Sequence, residues 1–343
     1  MILVTGGTGH LGSHLLQTLV ASGKVIRCTY RKRILQYVPL EAAKHIDWHE
    51  ADLLDVTSLD QALEGVDQVY HCAGMVSFQK GDKQRMMEVN VRGTGNLINA
   101  CLAHGIKKLV HVSSVAALGR PAPEAHIDEN SSWEDSRHNS AYGLSKYHGE
   151  LEVWRGIGEG LNAVIVNPSI FIGPSRGWDD ASARLVRNSY EGFPWYTRGV
   201  NAFVNVKDVA RVMVRLMDSP FHSERFIVSA ENWSYQQFFS AVHKYLGTGV
   251  SLKYAAPWMG ELIWRLSALS GWVTKKKPRI TKEMARTASL KVYYDNRKIK
   301  EALPDFNFTP LEQTIEETCR AFLKHMQSLS SAEKTSKEPR TDI

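Results

Sequence analysis

The chain opens on a turn that glycine makes more readily than any other residue, and that turn constrains the fold more than anything else in the sequence. In MILVTGGTGHLGSHLLQTLV, Ile2–Thr5 reads as a short buried strand, and Leu11, Leu15, Leu16, Leu19 and Val20 recur at helical spacing. Between them stand Gly6, Gly9 and Gly12, three residues apart. In a strand–turn–helix unit the first glycine permits the tight turn. The second lets the backbone approach a pyrophosphate, and the third lets helix and strand pack closely. The N-terminus of the helix adds free N–H groups and a partial positive charge. A dinucleotide site is expected here, with Gly6, Thr8, Gly9, His10, Leu11 and Gly12 around the phosphates. A tight loop without a ligand is the alternative that the glycines alone leave open.

The pattern after this unit repeats its alternation. Residues 24–30 are strand-like and a further strand ends near Asp52. Residues 58–74 read as helix, strand and turn, 84–104 as a long helix, 107–119 as a strand running into a loop, 140–158 as a helix and 161–173 as a strand. Strands alternating with helices predict an α/β fold, a doubly wound parallel (Rossmann) sheet. After Pro174 the alternation loosens and tryptophans gather at 178, 195, 233, 258, 264 and 272. Residues 1–174, with 203–229 returning, are therefore expected to form the dinucleotide-binding domain. Residues 175–202 and 230–325 form a smaller C-terminal substrate lobe, and 328–343 a polar disordered tail.

Composition narrows the partners. Of 343 residues, 43% are hydrophobic and 23% charged, as in soluble globular proteins with a full core. The net charge of +6 comes largely from local runs, Arg31-Lys32-Arg33 and Lys275-Lys276-Lys277, which read as solvated faces. No zinc-finger spacing or RNA-binding signature accompanies them, so a small-molecule substrate is expected and no nucleic acid, with membrane-surface contact the less favoured expectation. Cys28, Cys72, Cys101 and Cys319 are far apart and form no CxxC pair, which reads as reduced thiols with no metal. With a strand as its first element and no apolar run of spanning length, the chain is expected to be cytoplasmic.

The chemistry is carried by SAYGLSKYHGE. Tyr142 and Lys146 are four apart, on one face of a helix, where an ammonium favours the phenolate and moves tyrosine toward acid–base work. Upstream, VHVSSVAALG ends a strand on Ser113 and Ser114, whose hydroxyls are placed to hold a substrate oxygen. Spacing alone is a weak signal, since Tyr294 and Lys298 share it without a serine-ended strand before them. NAD sites usually carry an acid about 20 residues past the glycine turn to bind the ribose hydroxyls. Here Tyr30-Arg31-Lys32-Arg33 occupies that place, with no carboxylate until Glu41. Arg31 suits a 2′-phosphate, so NADP is preferred over NAD.

Together these residues resemble the extended short-chain dehydrogenase/reductase family, also called the NAD-dependent epimerase/dehydratase family. The resemblance spans about residues 1–325. It rests on TGGTGHLG at 5–12, ADL at 51–53, HCAG at 71–74, VNVRGTGNLI at 89–98, VSS at 112–114, the Tyr142/Lys146 pair, NPSIFIGP at 167–174 and FVNVKDVA at 203–210. It implies that Asp52 and Leu53 flank the adenine and that Cys72, Ala73 and Gly74 line the cofactor. Pro168, Ser169 and Ile170 would border the nicotinamide, and Ser114 rather than Ser113 takes the catalytic position. Asn90 would brace the active-site strand, with a structural amide as the alternative. Dehydratases of the family carry Thr-Asp-Glu where this chain has Ser114-Val115-Ala116, which argues against dehydration. VIRCTYRK resembles the cofactor strand of dihydroflavonol-4-reductase-like members, and residues 257–281 resemble the C-terminal region of 3β-hydroxysteroid dehydrogenase-like ones. An oxidoreductase of a small apolar or aromatic carbonyl compound is the implied activity. A nucleotide-sugar epimerase, served by Arg176, Arg184, Arg187, Arg198 and Arg265, is the alternative, and a non-catalytic NAD(P)-binding module a third. A homodimer through the helices at 84–104 and 140–158 is possible on the same grounds.

Residues 257–273 predict an amphipathic helix on which Trp258, Leu262, Leu266, Leu269 and Val273 share a stripe. Packing on its own lobe, lying on a membrane surface and walling the substrate pocket are its three readings. The expectation is that Trp258, Leu262 or Leu266 borders the pocket.

Overall fold

The computed structural model describes residues 1–31, 38, 40–175, 177–178, 182–274 and 281–337. Lys32, Arg33, Arg176 and the run Lys275–Lys277 lie outside them. The first wing of the fold is β1 (Ile2–Thr5), α1 (His10–Ala21), β2 (Ile26–Tyr30), α2 (Leu40–Ala43), β3 (Ile46–Glu50), α3 (Val56–Leu63) and β4 (Gln68–His71). α4 (Lys83–Met87), a π-helical turn (Glu88–Arg92) and α5 (Gly93–Ala103) then run on end to end, where the sequence predicts one helix. β5 (Lys108–Val112), β6 (Glu124–Ile127), α6 (Ala141–Gly158), β7 (Ala163–Pro168) and β8 (Ile170–Ile172) follow. After them come α7 (Ala183–Tyr190), β9 (Trp195–Tyr196), β10 (Val200–Asn205), α8 (Val206–Met217) and β11 (Glu224–Val228). The chain ends with β12 (Glu231–Ser234), α9 (Tyr235–Leu246), β13 (Lys253–Tyr254), α10 (Pro257–Thr274), α11 (Lys282–Thr287), β14 (Lys291–Tyr294), α12 (Arg297–Ala302) and α13 (Leu311–Lys337).

Seven strands form one parallel sheet in the order β3-β2-β1-β4-β5-β7-β11. The order reverses between β1 and β4, and ligands of such sheets bind in the crevice at that switch point, outside the C-terminal strand ends. Burial on both faces explains why the central strands β1, β5 and β7 are buried along their whole length and largely apolar. Leu15, Leu16 and Leu19 of α1 meet Val209, Met213 and Leu216 of α8 on one face. Leu59 and Leu63 of α3, Leu97 and Ile98 of α5 and Val153 of α6 cover the other.

A second sheet runs β12-β10-β14-β6, with β8 added beside β10. Its composition corrects the lobe boundaries read from the sequence. β6 and β8 come from residues 1–174 yet lie in the second sheet, and β10 belongs there too, so the return to the main sheet begins with α8 at 206 rather than at 203. The single strand expected over 161–173 is broken at Ser169, whose N–H bonds Val228 O at 3.1 Å while the chain changes sheets. α13 also continues to Lys337, past the expected start of disorder at 328. Its Ala332, Glu333 and Lys334 are good helix formers that extend a helix already anchored by Leu311, Ile315 and Phe322. The four cysteines are free thiols. No helix among the described residues is long and apolar enough to cross a membrane.

Candidate functional site

The glycine turn sits at the crevice. Gly6 has φ +70, and a Cβ there would lie 2.5 Å from Ala73 N, so both conformation and close approach require glycine. At Gly12 a Cβ would meet Gly6 O at 2.2 Å, which is the tight helix–strand packing expected of the third glycine. Gly9 differs. Its φ is −84, and a Cβ would meet only Gly6 O at 3.3 Å. Among the described residues only that one backbone oxygen comes near a Cβ at Gly9, so most of the space beside this N-cap is open to a ligand. α1 begins at His10 with no side-chain cap and no acid in its first turn, leaving N–H groups for an anion.

The segment after β7 closes the other wall. His10 and His14 both donate from Nε2 to Pro174 O, at 3.1 and 2.9 Å, and the Phe171 ring packs edge-on to His10. Burial holds the His10 imidazole down at about 4, so it is neutral at pH 7. Two buried polar atoms on these walls, His10 Nδ1 and Ser169 Oγ, find no partner among the described residues. The open N-cap fits the phosphate end of a dinucleotide, and the unpartnered Ser169 hydroxyl adds a donor on the segment after β7. Pro168 is buried beneath this wall and Ile170 half-buried on it. Thr8 is half-buried in the turn, and Leu11 belongs to the core rather than to the surface of the crevice.

The rest of the expected cofactor residues ring the same strand ends. Asp52 accepts from Leu54 N at 3.0 Å, and Leu53 O accepts from Asn96 Nδ2 at 2.9 Å, which ties that loop to α5. Cys72 N donates to Thr5 O at 3.1 Å and Ala73 N to Thr5 Oγ1 at 3.4 Å, so the chain leaves β4 along the glycine turn. Gly74 is exposed, within reach of Asn90 and Lys146. Arg31 is exposed just past the end of β2.

Asn90 is the clamp of the site. Its Oδ1 accepts from Met75 N at 2.7 Å, and its Nδ2 donates to Met75 O and Ser145 Oγ, both at 2.9 Å. It therefore fixes the loop after β4 to the helix that carries Tyr142. The π-helical turn around it is an irregularity of the kind found at functional sites.

Ser114 and Ser113 are separated by the structure. Ser113 is buried in the sheet, whereas Ser114 is half-buried at the end of β5 and caps a short 3-10 turn, Val115–Leu118. α6 starts against that turn, with Gly143 so close to Ala116 O that a Cβ would lie 2.8 Å away. This contact brings Tyr142 beside Ser114. Burial raises the phenol above its ordinary range, and the Ser114 side chain offsets part of that rise. Lys146, one turn along, is buried with Nζ 2.8 Å from Val112 O. Desolvation lowers it to about 8, opposed by the charge of Glu150. The second Tyr/Lys pair is dispersed: Tyr294 is buried in β14, and Lys298 pairs with Glu224 at 2.8 Å.

Behind the triad lies a polar chain the sequence reading did not single out. Glu150 accepts from Asn167 Nδ2 at 2.8 Å and from Arg225 Nη1 at 3.1 Å, and Asn167 also donates to Ser114 O at 3.0 Å. Tyr142, Lys146 and Glu150 are spaced by four, so the helical stripe that marked the pair marked the glutamate too. Phe78, on the loop held by Asn90, meets the Tyr142 ring edge-on at 6.2 Å.

Residues 2–228 match the family model described as NAD dependent epimerase/dehydratase family. The chain belongs to that family. It is 31% identical over 253 residues to sterol demethylase protein B of Methylococcus capsulatus, covering 71% of this chain and 74% of that one. It is 29% identical over 319 residues to a protein of Synechocystis named as a dihydroflavonol 4-reductase, covering 88% of each. Among solved structures, UDP-glucose 4-epimerase of Thermotoga maritima with UDP-glucose superposes with a TM-score of 0.76 at 20% identity, over 95% of this chain and 99% of that one. The chain is an NAD(P)-dependent enzyme of the extended short-chain dehydrogenase/reductase type with the Rossmann fold of the family.

Proposed function

We propose that the enzyme is an NADP(H)-dependent reductase or dehydrogenase acting on a carbonyl or hydroxyl of a small apolar or aromatic substrate. The observation that carries this reading is the meeting of Tyr142 and Ser114 at the C-terminal end of β5, with Lys146 buried one helical turn away. Tyr142 gives a proton to the carbonyl oxygen in reduction and takes it back in oxidation. Ser114 holds that oxygen beside the phenol, and the charge of Lys146 favours the phenolate left behind. When bound, the nicotinamide supplies or accepts the hydride. Gly6, Gly9 and the first turn of α1 would hold its pyrophosphate, and Arg31 the 2′-phosphate.

Several features favour reduction over elimination or sugar isomerisation. Val115 and Ala116 are buried apolar residues where dehydratases place an acid pair. Phe78 gives the Tyr142 side an aromatic border. The names of the dihydroflavonol reductase and sterol demethylase relatives point toward ring-containing, largely apolar substrates. The test is cofactor consumption. NADPH should be oxidised in the presence of aromatic or alicyclic ketones, and Arg31→Ala should weaken NADP by about tenfold to a hundredfold while sparing NAD, the size of one lost charge-assisted pair. Isomerisation of a nucleotide sugar without net cofactor consumption would overturn the reading.

A further inference from the structure

The helical pair α10–α11 stands outside the core. None of the residues 258–266 or 282–287 is buried, and no described side chain of either helix joins one of the molecule's hydrophobic clusters. α10 nevertheless turns its apolar stripe outward: Trp258 is 68% exposed, Leu262 50% and Leu266 56%. The stripe expected to border the pocket thus faces solvent. Soluble surfaces seldom hold three such neighbours on one helical face.

What surrounds the stripe selects its occupant. Arg265 and Lys282 both lie over the Trp264 ring, at 5.3 and 5.6 Å. Just before the helix, Arg198 covers the half-exposed Tyr254 at 4.5 Å and Lys253 approaches Trp195 at 6.0 Å. The acid on this face, Glu261, is already paired with Arg265 at 3.3 Å. The other acid of the pair, Glu283, turns inward and accepts from Ala141 N at 3.2 Å. A tryptophan flanked by two cations next to an exposed Trp/Leu stripe is the composition of a helix lying in a lipid interface. There the apolar side chains enter the acyl boundary and long cations reach the headgroups. An apolar stripe exposed along one helix suits a fluid surface, and the cations beside it suit an anionic one.

We propose that α10 docks the enzyme on the surface of an anionic bilayer. The contact of Glu283 with Ala141, the residue before Tyr142, puts the docked pair at the mouth of the active site. Resting on the reading of an apolar substrate, the face would let such a substrate pass from the bilayer to the site.

Sedimentation of the full chain with vesicles tests the docking. Wild-type protein should pellet with vesicles of phosphatidylcholine containing phosphatidylglycerol, less with phosphatidylcholine alone, and less as salt rises. The combined variant Trp258→Ser, Leu262→Ser, Leu266→Ser should lose binding at least tenfold, and Arg265→Glu with Lys282→Glu should remove the preference for anionic lipid. Both variants should retain wild-type circular dichroism and NADP affinity. Wild-type protein that stays in the supernatant with both vesicles overturns the proposal. So does a wild-type dimer that the triple serine variant converts to monomer without any vesicle effect, because the face would then be covered by a second copy. Turnover of a water-soluble ketone by the serine variant reports separately on the reductase reading: activity with lost docking sustains both, and docking without any ketone reduction fails only the function.

Discussion

At the residue scale, Tyr142 is the group whose removal tests the proposed chemistry most directly. Tyr142→Phe deletes one hydroxyl from a ring already wedged against Phe78 and the Ser114 turn. NADP affinity by calorimetry should stay within about twofold, while turnover falls by about 10²–10⁴, the range of a lost general acid. Tyr294→Phe should leave turnover unchanged, since its hydroxyl is buried in the second sheet. On the proposed mechanism Lys146 should set the pH profile. Its folded pKa of about 8 lies below the ordinary 10.5, so it is charged at pH 7 and loses its proton through pH 8. Tyr142 is shifted upward and stays protonated over that range. For reduction both groups are in the right form below pH 8. kcat/KM should therefore be level near neutrality and fall above about 8, and a level profile to pH 10 would remove Lys146 from this role. The pair was legible because its spacing is local. The second half of the network was not: Asn167 and Arg225 reach Glu150 from 17 and 75 residues away, and only the sheet brings them together.

At the scale of elements, the glycine turn separates what the fold needs from what the ligand needs. Gly6→Ala forces a side chain into φ +70 and against the Ala73 backbone, so it should lower thermal stability strongly or prevent folding. Gly9→Ala keeps an ordinary φ and meets one oxygen at 3.3 Å, so the melting temperature should move little. NADP affinity should nevertheless drop severalfold or more, because the added methyl occupies the side from which a phosphate approaches. Equal losses of stability in both variants would show that Gly9 serves the turn alone. Strand–turn–helix order made this unit readable from residues 2–20. The break at Ser169 was not readable, because NPSIFIG has the apolar continuity of a single strand. Its change of sheet is decided by Phe203, Val204 and Asn205 pairing with Ile170, Phe171 and Ile172. The stripe of α10 was readable as a stripe, but periodicity tells which residues share a face and not what that face meets.

At the scale of the molecule, the family match ends at residue 228 but the physical unit does not. One cluster joins Val115 and Leu118 of the active-site turn to Ala202, Ile227, Leu290, Val292 and Tyr294, so the catalytic loop rests on strands from both sheets. Ile299 and Leu303, near α12, pack into the core beneath α1 and α8. Arg225, which holds Glu150, also donates to Glu129 O at 2.8 Å and Ser131 O at 2.9 Å, tying the edge of the main sheet to the loop after β6. A chain ended after Val228 would expose the partners of Leu290, Val292, Ile299 and Leu303 together. Each such burial is worth about 1.5–3 kcal/mol, so the four together are comparable to the whole of the roughly 5–15 kcal/mol that holds a typical protein folded. The truncated chain should therefore be insoluble or lack near-ultraviolet dichroism, although it keeps the glycine turn and the whole triad. The intact chain should unfold in one transition, with tryptophan fluorescence, far-ultraviolet dichroism and loss of activity sharing a midpoint. Two separated midpoints, or a soluble and NADP-binding fragment 1–228, would mean that the lobes fold independently and that the shared cluster contributes little to either.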